Sequence, residues 1–343
     1  MNSNSNCNIF FPPEWYPQSC VQLTWPHEGT DWAGSLDETI GCFAAIAKAI
    51  SRTERLLVVA PRIEPVRALL GDSGRIIFRE IDTNDTWARD HGGISVLKDG
   101  RPTVYDFTFN GWGMKFAANL DNLITRRLFA SSTFAPGIAC EQIPLVLEGG
   151  SIETDGGGTL LVTASCLESA NRNEHLSRAE LEQCLGRLFG ARRILWLNHG
   201  RLIGDDTDGH IDTLARFCSD STIVYVRCDD PSDPHFEELR LMEEELRGFV
   251  RDDGQPYRLV PLPLPACVEH DGERLPATYA NFLITNRAVL MPLYDAPTDE
   301  LAMHIIRELF PGREATGINC LPLVRQHGSL HCVSMQYPEG FII

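Results

Sequence analysis

Residues 177–220 contain the unit from which the fold is predicted: SRAELEQCLGRLFGARRILWLNHGRLIGDDTDGHIDTLARFCSD. Ser177-Arg-Ala-Glu180 is a capping-box signature, which predicts the start of a helix. An apolar strand over Ile194–Leu197 follows the helix, and a polar loop over Asp205–Asp212 follows the strand. Ser219-Asp220 is typical of a hairpin turn between two further strands. The stretch therefore predicts the order helix, strand, polar loop and paired strands.

The same order recurs along the chain at intervals of about 60 residues, which indicates a repeat. Helices are predicted to begin near residues 35, 119, 177, 234 and 298, and the longer first interval holds an extra strand and helix. Five such modules around an axis would bring their polar loops together at the centre. A generic α/β sheet, whose loops need not meet, stays the alternative. The five loops contain Asn84–His91, Glu148–Ser151, Asp205–Asp212, Thr278–Asn281 and Gln326–Cys332.

The composition restricts the partners and the compartment. The chain has 343 residues, with 30 Lys and Arg against 47 Asp and Glu, and so a formal net charge of −17. This charge argues against nucleic acid or an anionic membrane as a partner and favours a cationic ligand. No apolar run approaches the ~20 residues of a membrane span, and the 11 cysteines lack metal-binding spacing, which predicts a reduced, cytoplasmic protein. No linker divides the chain, so we expect one domain over residues 1–343, and a homo-oligomer stays open.

The loop over Asp205–Asp212 is the densest in chemical groups, with four carboxylates and a histidine. These carboxylates repel one another unless a cation or a metal is present. His210 and Asp212 are two residues apart, which predicts that both lie on one face of a strand. The last loop places Cys332 next to His331 in a glycine-containing turn. Taken alone, the other three loops are more typical of structural roles.

Two chemistries can use these groups. In the first, Cys332 is a thiolate nucleophile, His210 transfers protons, and carboxylates hold a cationic substrate. In the second, Asp208-x-His210-x-Asp212 is a run of manganese ligands like that of ureohydrolases. The metal hypothesis lacks a second Asp-x-Asp cluster and leaves Cys332 without a role, so the thiolate is favoured. A polyamine-binding protein without turnover is a third alternative, and it also gives the thiol no role.

The five loops together resemble the agmatine deiminase family, which includes the Porphyromonas-type peptidyl-arginine deiminases. The motifs that carry the resemblance are Asn84-Asp-Thr-Trp-Ala-Arg-Asp90, Leu147-Glu-Gly-Gly-Ser151, Asp206-Thr-Asp-Gly-His-Ile-Asp212, Tyr279-Ala-Asn-Phe282 and Gly328-Ser-Leu-His-Cys332. The likeness runs from about Trp15 to Pro338. It implies the five-bladed α/β propeller of guanidine-modifying enzymes, and it implies neither a metal nor an organic cofactor.

The resemblance also implies roles for single residues. Cys332 is then the nucleophile and His210 the proton shuttle. Asp90 and Asp212 hold the nitrogens of the guanidinium, and Glu148 lies near His210. Each of these positions falls within one of the five quoted motifs.

Agmatine is the expected substrate among small cationic guanidines. The segment 106–113 contains no arginine that could bind a substrate carboxylate, and it resembles the Asn-x-Trp-Gly of agmatine deiminases. The reaction expected is deimination to N-carbamoylputrescine and ammonia in putrescine (polyamine) biosynthesis. A peptidyl- or free-arginine deiminase is the alternative, and a metal-dependent ureohydrolase is a more remote one. The residues expected to bind the substrate are Trp87, Trp112, Asp206 and Asn281.

Overall fold

The structure of the chain is a computed structural model that describes residues 8–343, so residues 1–7 of the expected domain lie outside the described part. The protein is of the α/β class, as predicted. Its strands in chain order are β1 Ile9–Phe10, β2 Gln18–Thr24, β3 Arg55–Ala60, β4 Ile76–Glu80, β5 Ile94–Lys98, β6 Arg101–Thr108, β7 Ala139–Val146, β8 Ile152–Thr154, β9 Thr159–Thr163, β10 Arg193–Leu197, β11 Ala215–Ser219, β12 Thr222–Arg227, β13 Arg258–Pro263, β14 Glu269–His270, β15 Glu273–Arg274, β16 Leu283–Ile284, β17 Ala288–Leu293, β18 Glu314–Asn319 and β19 Ser334–Pro338.

Long and short helices alternate with these strands. The helices are α1 Leu36–Ser51, α2 Ile63–Leu70, α3 Ala88–His91, α4 Gly111–Met114, α5 Ile124–Ala130, α6 Ala164–Leu167, α7 Ala170–Asn173, α8 Arg178–Phe189, α9 Phe236–Gly248, α10 Asp299–Leu309 and α11 Leu321–Val324. Short 3₁₀ turns lie at Ala33–Ser35, Asp121–Leu123, Gly149–Ser151 and Ile211–Thr213.

Within residues 8–343, five sheets share one arrangement: an antiparallel pair followed by a strand parallel to its second member. Four of them are β5-β6-β7, β8-β9-β10, β11-β12-β13 and β16-β17-β18. A helix connects the two parallel strands in each case, since parallel neighbours need a crossover. These helices are α5, α8, α9 and α10. The structure thus contains the repeat that the sequence predicted.

The fifth sheet joins two distant parts of the chain. Strand β19 pairs antiparallel with β2, so that Ser334 lies opposite Leu23, and β2 pairs parallel with β3. Helix α1 is the crossover, and α2 with β4 forms the predicted extra unit. Each polar loop leaves the last strand of one sheet and leads to the antiparallel pair of the next. All five loops are therefore placed equivalently in their modules.

The predicted helix starts are confirmed with local exceptions. The capping box of α8 forms, since Ser177 and Glu180 bond to each other's backbone N–H. At α1 the side chain of Ser35 makes no capping hydrogen bond, and the carboxylate of Glu38 pairs instead with Arg325.

The other two exceptions concern where helices begin. Helix α9 begins at Phe236, after a turn in which the Asp233 carboxylate accepts from the backbone N–H of His235 at 2.8 Å and also pairs with Arg274 at 2.8 Å. The helix predicted over 119–130 is a 3₁₀ turn in its first part.

The thiols are mostly buried among apolar side chains, as the composition suggested. No disulfide links the cysteines of the described chain. None of the helices in residues 8–343 has the length and apolar character that a bilayer crossing requires. The buried thiols are Cys20, Cys42, Cys166, Cys218, Cys228, Cys320 and Cys332.

Candidate active site

A pocket with about 500 Å³ of space lies where the polar loops meet. The loops converge as the repeat predicted, because the groups they carry lie within a few ångströms of one another. Nδ1 of His210 lies 3.6 Å from Oδ1 of Asp90, and Sγ of Cys332 lies 3.9 Å from Oδ2 of Asp212. Six of the nine residues expected in the site line the pocket, namely Trp87, Asp90, Trp112, Asp206, His210 and Cys332.

The thiol of Cys332 is buried and rests on Asn281. The Asn281 amide nitrogen lies 3.2 Å from Sγ, and its carbonyl oxygen accepts from the backbone N–H of both His331 and Cys332. Asn281 was expected to bind substrate, but these bonds occupy its amide beneath the thiol, and it is absent from the pocket lining. These hydrogen bonds tie Asn281 to the turn that carries Cys332, and its part in substrate binding stays a prediction.

Two buried carboxylates face the thiol. Asp90 is held at both oxygens, since Trp112 Nε1 donates to Oδ2 at 2.9 Å and Gly150 N donates to Oδ1 at 3.0 Å. Asp212 is held at Oδ2 alone, where His331 Nδ1 approaches to 2.7 Å. Oδ1 of Asp212 is buried and has no hydrogen-bond partner within residues 8–343. A buried acceptor without a partner costs free energy, so this oxygen is suited to receive a donor from a ligand.

His210, like Asp212, has buried polar atoms without a hydrogen-bond partner among the described residues. Both of its ring nitrogens are buried and lack a hydrogen-bond partner in the described part of the chain. Burial lowers the pKa of the imidazole, but the neighbouring Asp90, then Cys166 and Glu148, outweigh burial and raise it well above the ordinary value. These neighbours favour the protonated imidazole, which can give a proton to a ligand.

The Cys332 thiol, in contrast, tends to remain neutral. Burial raises its pKa well above the ordinary value, and the negative charges of Asp212 and Asp90 raise it further. A cation that enters between these carboxylates reverses the second cause and so favours the thiolate. The surroundings therefore favour a neutral Cys332 thiol and a protonated His210 imidazole.

The backbone at Gly150 allows the groups to come this close. A Cβ at this position would lie 2.6 Å from Nδ1 of His210, 2.9 Å from Oδ1 of Asp90 and 3.2 Å from Oδ2 of Asp212. Any side chain would occupy the space between the three groups. The Gly-Gly pair was noted in the sequence, but the closeness to His210 could not be derived from it.

Glu148 lies close to His210 and is buried, as expected. Its two oxygens each accept from Arg172 Nε at 3.0 Å. Arg172 also binds Asp208 at 2.6 Å, and Lys115 binds the other oxygen of Asp208 at 2.7 Å. Two basic side chains thus bind the carboxylate of Asp208.

The structure does not support the run of metal ligands considered for this loop, and it contradicts the strand expected there. Among the described residues, Asp208, His210 and Asp212 do not bring ligand atoms together as one group. His210 precedes a 3₁₀ turn that contains Asp212, so the two are not neighbours on a strand face. The Asp-Gly-His sequence turns through positive φ at Asp208 and Gly209, which prevents an extended strand there.

The mouth of the pocket is acidic, with Asp31, Asp85, Asp205 and Asp206 in its lining. Burial raises the pKa of Asp85 to about 7, and burial with the adjacent Asp205 raises that of Asp206 to about 6. Neither lysine nor arginine occurs in the lining formed by the described residues. This mouth is suited to a cation, because a positive ligand would favour the ionised form of each carboxyl group.

Cys166 was missed by the sequence analysis. It is fully buried, and its Sγ lies within 4.8 Å of both His210 and a Glu148 oxygen, so it packs against the imidazole. It begins no motif and sits on the short helix α6, where nothing in the local sequence distinguishes it from the other buried cysteines.

These features define a class of protein. An α/β repeat that surrounds a buried thiol, an imidazolium and two carboxylates is the arrangement of a guanidine-modifying enzyme. A family model described as Porphyromonas-type peptidyl-arginine deiminase matches residues 10–338. The chain belongs to this family.

Known proteins resemble the chain along nearly its whole length. A Porphyromonas gingivalis crystal structure, provisionally named an arginine deiminase, is 58% identical, covers 98% of this chain and 100% of its own, and has a TM-score of 0.95. A C. jejuni agmatine deiminase structure with substrate bound is 36% identical over 99% of both chains, with a TM-score of 0.93. A Legionella pneumophila (strain Paris) protein, provisionally named agmatine deiminase, is 34% identical over 97% of this chain and 96% of its own.

Proposed function

We propose that the protein hydrolyses agmatine to N-carbamoylputrescine and ammonia through a covalent intermediate on Cys332. The observation that carries the proposal is the set of unpartnered buried atoms beside the thiol. In the described chain these are Oδ1 of Asp212 and both ring nitrogens of His210. A guanidinium is planar, always charged and able only to donate hydrogen bonds, so it fits between the two carboxylates with its carbon facing Sγ.

Substrate binding activates the nucleophile. Asp212 and Asp90 raise the pKa of the Cys332 thiol in the empty site, after burial itself. The guanidinium offsets their charge, so the thiol pKa falls and its proton leaves to solvent. The thiolate forms only where its target carbon is already held.

The first half of the reaction releases ammonia. The sulfur of Cys332 forms a C–S bond to the guanidinium carbon and gives a tetrahedral adduct. His210 donates its proton to one nitrogen of the adduct, the C–N bond breaks, and ammonia departs. A thiouronium remains on the sulfur, and His210 is left neutral.

The second half restores the enzyme. Neutral His210 takes a proton from water as the water oxygen attacks the thiouronium carbon. The C–S bond then breaks, and the hydroxyl proton of the adduct passes to the departing sulfur of Cys332, which restores the thiol and frees the neutral ureido product. One water is consumed and one ammonia is formed in each cycle.

The acidic mouth supports agmatine as the substrate. Agmatine carries an ammonium at its far end, which suits Asp206 and Asp85, while Trp87 and Trp112 line the path between. Lys115, which could have met a carboxylate, is engaged by Asp208. Deimination of free or peptidyl arginine is the second candidate, because the 58% identical Porphyromonas gingivalis structure is provisionally named an arginine deiminase.

One assay separates the candidates. The protein is incubated with agmatine, free arginine and a peptide that ends in arginine, and ammonia and urea are measured separately. Ammonia from agmatine is expected, with no urea. Release of urea would contradict deimination, and faster turnover of either arginine substrate would contradict the choice of agmatine.

We also propose that the five sheets are arranged as a five-bladed α/β propeller with the site on its axis. The equivalent position of the five polar loops in their modules supports this arrangement. A place in putrescine biosynthesis and a reduced, cytoplasmic setting follow from the proposed reaction and the unpaired thiols. A homo-oligomer stays a prediction.

A further inference from the structure

His331 lies between two buried carboxylates. Its Nδ1 is 2.7 Å from Oδ2 of Asp212, and its Nε2 is 2.6 Å from Oε2 of Glu14. Both ring nitrogens are thus within hydrogen-bond distance of a carboxylate oxygen. All three side chains are buried. The arrangement is a carboxylate–imidazole–carboxylate chain that ends at the substrate side of Asp212.

Glu14 is the fixed end of this chain. Its Oε2 also accepts from Arg216 Nη2 at 2.8 Å, and its Oε1 accepts from the backbone N–H of Ile284 at 2.6 Å. Arg216 in turn pairs with Glu153 and donates to the carbonyl of Phe282 at 2.7 Å. Both carboxylate oxygens of Glu14 are therefore held by hydrogen bonds, which leaves the side chain little freedom to move.

The hydrogen bond from His331 determines which oxygen of Asp212 can bind a ligand. Since its Oδ2 is bound to His331, its Oδ1 is the oxygen left for a ligand, and it is unpartnered within residues 8–343. We propose that Glu14 and His331 are positioning residues, which hold Asp212 so that Oδ1 faces the guanidinium. This inference rests on the proposed function. It makes the segment before β2 a part of the site, although no motif there signalled it.

If Glu14 and His331 only stabilised the fold, their loss would not be expected to change the ionisation of Asp212. The charged and titratable groups near Asp212 are His331, His210, Arg216, Arg89, Asp90 and Cys332. Burial raises the pKa of Asp212, but the hydrogen bond and charge of His331, followed by His210 and Arg216, outweigh it and leave the pKa lowered. Without the cation of His331, protonation of Asp212 should begin at higher pH.

The test measures substrate binding separately from turnover. The parent is Cys332→Ser, titrated calorimetrically with agmatine, and Glu14→Gln and His331→Leu are added to it one at a time. The Kd for agmatine is expected to rise about tenfold or more in each, because Asp212 loses its orientation. His331→Asn, whose amide can still donate towards Asp212, is expected to restore most of the affinity.

Glu54→Gln is the matched control. Glu54 is a buried carboxylate that binds the backbone N–H and the amide of Asn286 at 2.7 Å and does not line the pocket. Its loss should lower the thermal midpoint and leave the Kd within about twofold of the parent. With Cys332 intact, Glu14→Gln and His331→Asn should also move the acid limb of kcat/KM to higher pH, and Glu54→Gln should not.

The outcomes are distinguishable. An unchanged Kd in folded Glu14→Gln, together with an unchanged acid limb in folded Glu14→Gln and His331→Asn, would overturn the inference, while agmatine turnover by the unmodified protein keeps the proposed function. If His331→Leu fails to fold, the other two variants decide the matter alone. Absence of agmatine binding by the Cys332→Ser parent, together with absence of turnover, would overturn the proposed function and this inference with it.

Discussion

Gly150 approaches His210 so closely that a Cβ on the glycine would stand 2.6 Å from Nδ1 of the imidazole. The same Cβ would lie 2.9 Å from Asp90, a distance that real Cβ atoms avoid. The glycine backbone therefore keeps open the space in which the guanidinium is to be held. A side chain at position 150 would displace His210 or Asp90, on which the proposed reaction depends.

Gly150→Ala is expected to lower kcat/KM for agmatine by about a hundredfold or more, because the methyl group displaces His210 or Asp90 by a fraction of an ångström. Steady-state kinetics check this. Gly41→Ala is the control, since nothing lies within 4 Å of a Cβ in that helix, and it should leave kinetics unchanged. Activity near the unmodified level in Gly150→Ala would place the substrate elsewhere.

Cys332→Ser is expected to abolish turnover while agmatine still binds, because the carboxylates that hold the cation are untouched. Mass spectrometry of the unmodified protein, quenched during turnover, should detect a thiouronium adduct on the peptide that contains Cys332. Cys218→Ala, at a buried thiol of the apolar core, should cost stability but keep activity. Appreciable steady-state activity in the serine variant would exclude the covalent route.

Agmatine is expected to exceed free and C-terminal peptidyl arginine in kcat/KM by roughly two orders of magnitude. The α-carboxylate of arginine would meet an acidic mouth, and an unpaired carboxylate costs ~3 kcal/mol or more there. Asp206→Asn should narrow the difference, mainly by raising KM for agmatine. Equal rates on peptidyl arginine would refute this specificity but leave deimination in place.

The reactivity of the free thiol should depend on pH in a particular direction. Burial, and then Asp212 and Asp90, raise the pKa of Cys332, so the thiolate fraction at neutral pH is small and rises with pH through the alkaline range. Iodoacetamide labelling of Cys332, followed by peptide mass spectrometry, should accelerate about tenfold per pH unit up to at least pH 9. A plateau below pH 8 would indicate a thiolate in the empty site.

Activity is expected to survive exhaustive chelation. Asp208, the first member of the suspected ligand run, is paired with Lys115 and Arg172 and is not available to a metal. The measurement is ammonia release from agmatine after dialysis against a strong chelator. Loss of activity that Mn²⁺ restores would instead support the ureohydrolase hypothesis.

Local signals in the sequence predicted the modules well. The capping box of α8 and the turn signal at Ser219-Asp220, between β11 and β12, act within a few residues, and both are present in the structure. The repeat then placed the five polar loops equivalently. Their convergence could be predicted because it follows from the repeat and not from any single contact.

Contacts between distant segments left no such signal. The thiol of Cys166 reaches His210 only through tertiary packing, and the pairing of Glu14 with His331 spans most of the chain. The expectation that His210 and Asp212 share a strand face was wrong because the chain forms a 3₁₀ turn at Ile211–Thr213, directly after His210. Asn281 was expected to bind substrate, and the motif alone cannot reveal that its amide nitrogen lies 3.2 Å from Sγ of Cys332.

The pairing of β19 with β2 has a consequence for how the protein folds. Closing a loop of roughly 300 residues costs conformational entropy that local helices do not repay, so this sheet is expected to form late. Cys332 lies two residues before the first residue of β19, and Glu14 lies four residues before the first residue of β2. The nucleophile and the group that orients its site therefore meet only when the last sheet is complete, and a folding intermediate that lacks this sheet should be compact but catalytically silent.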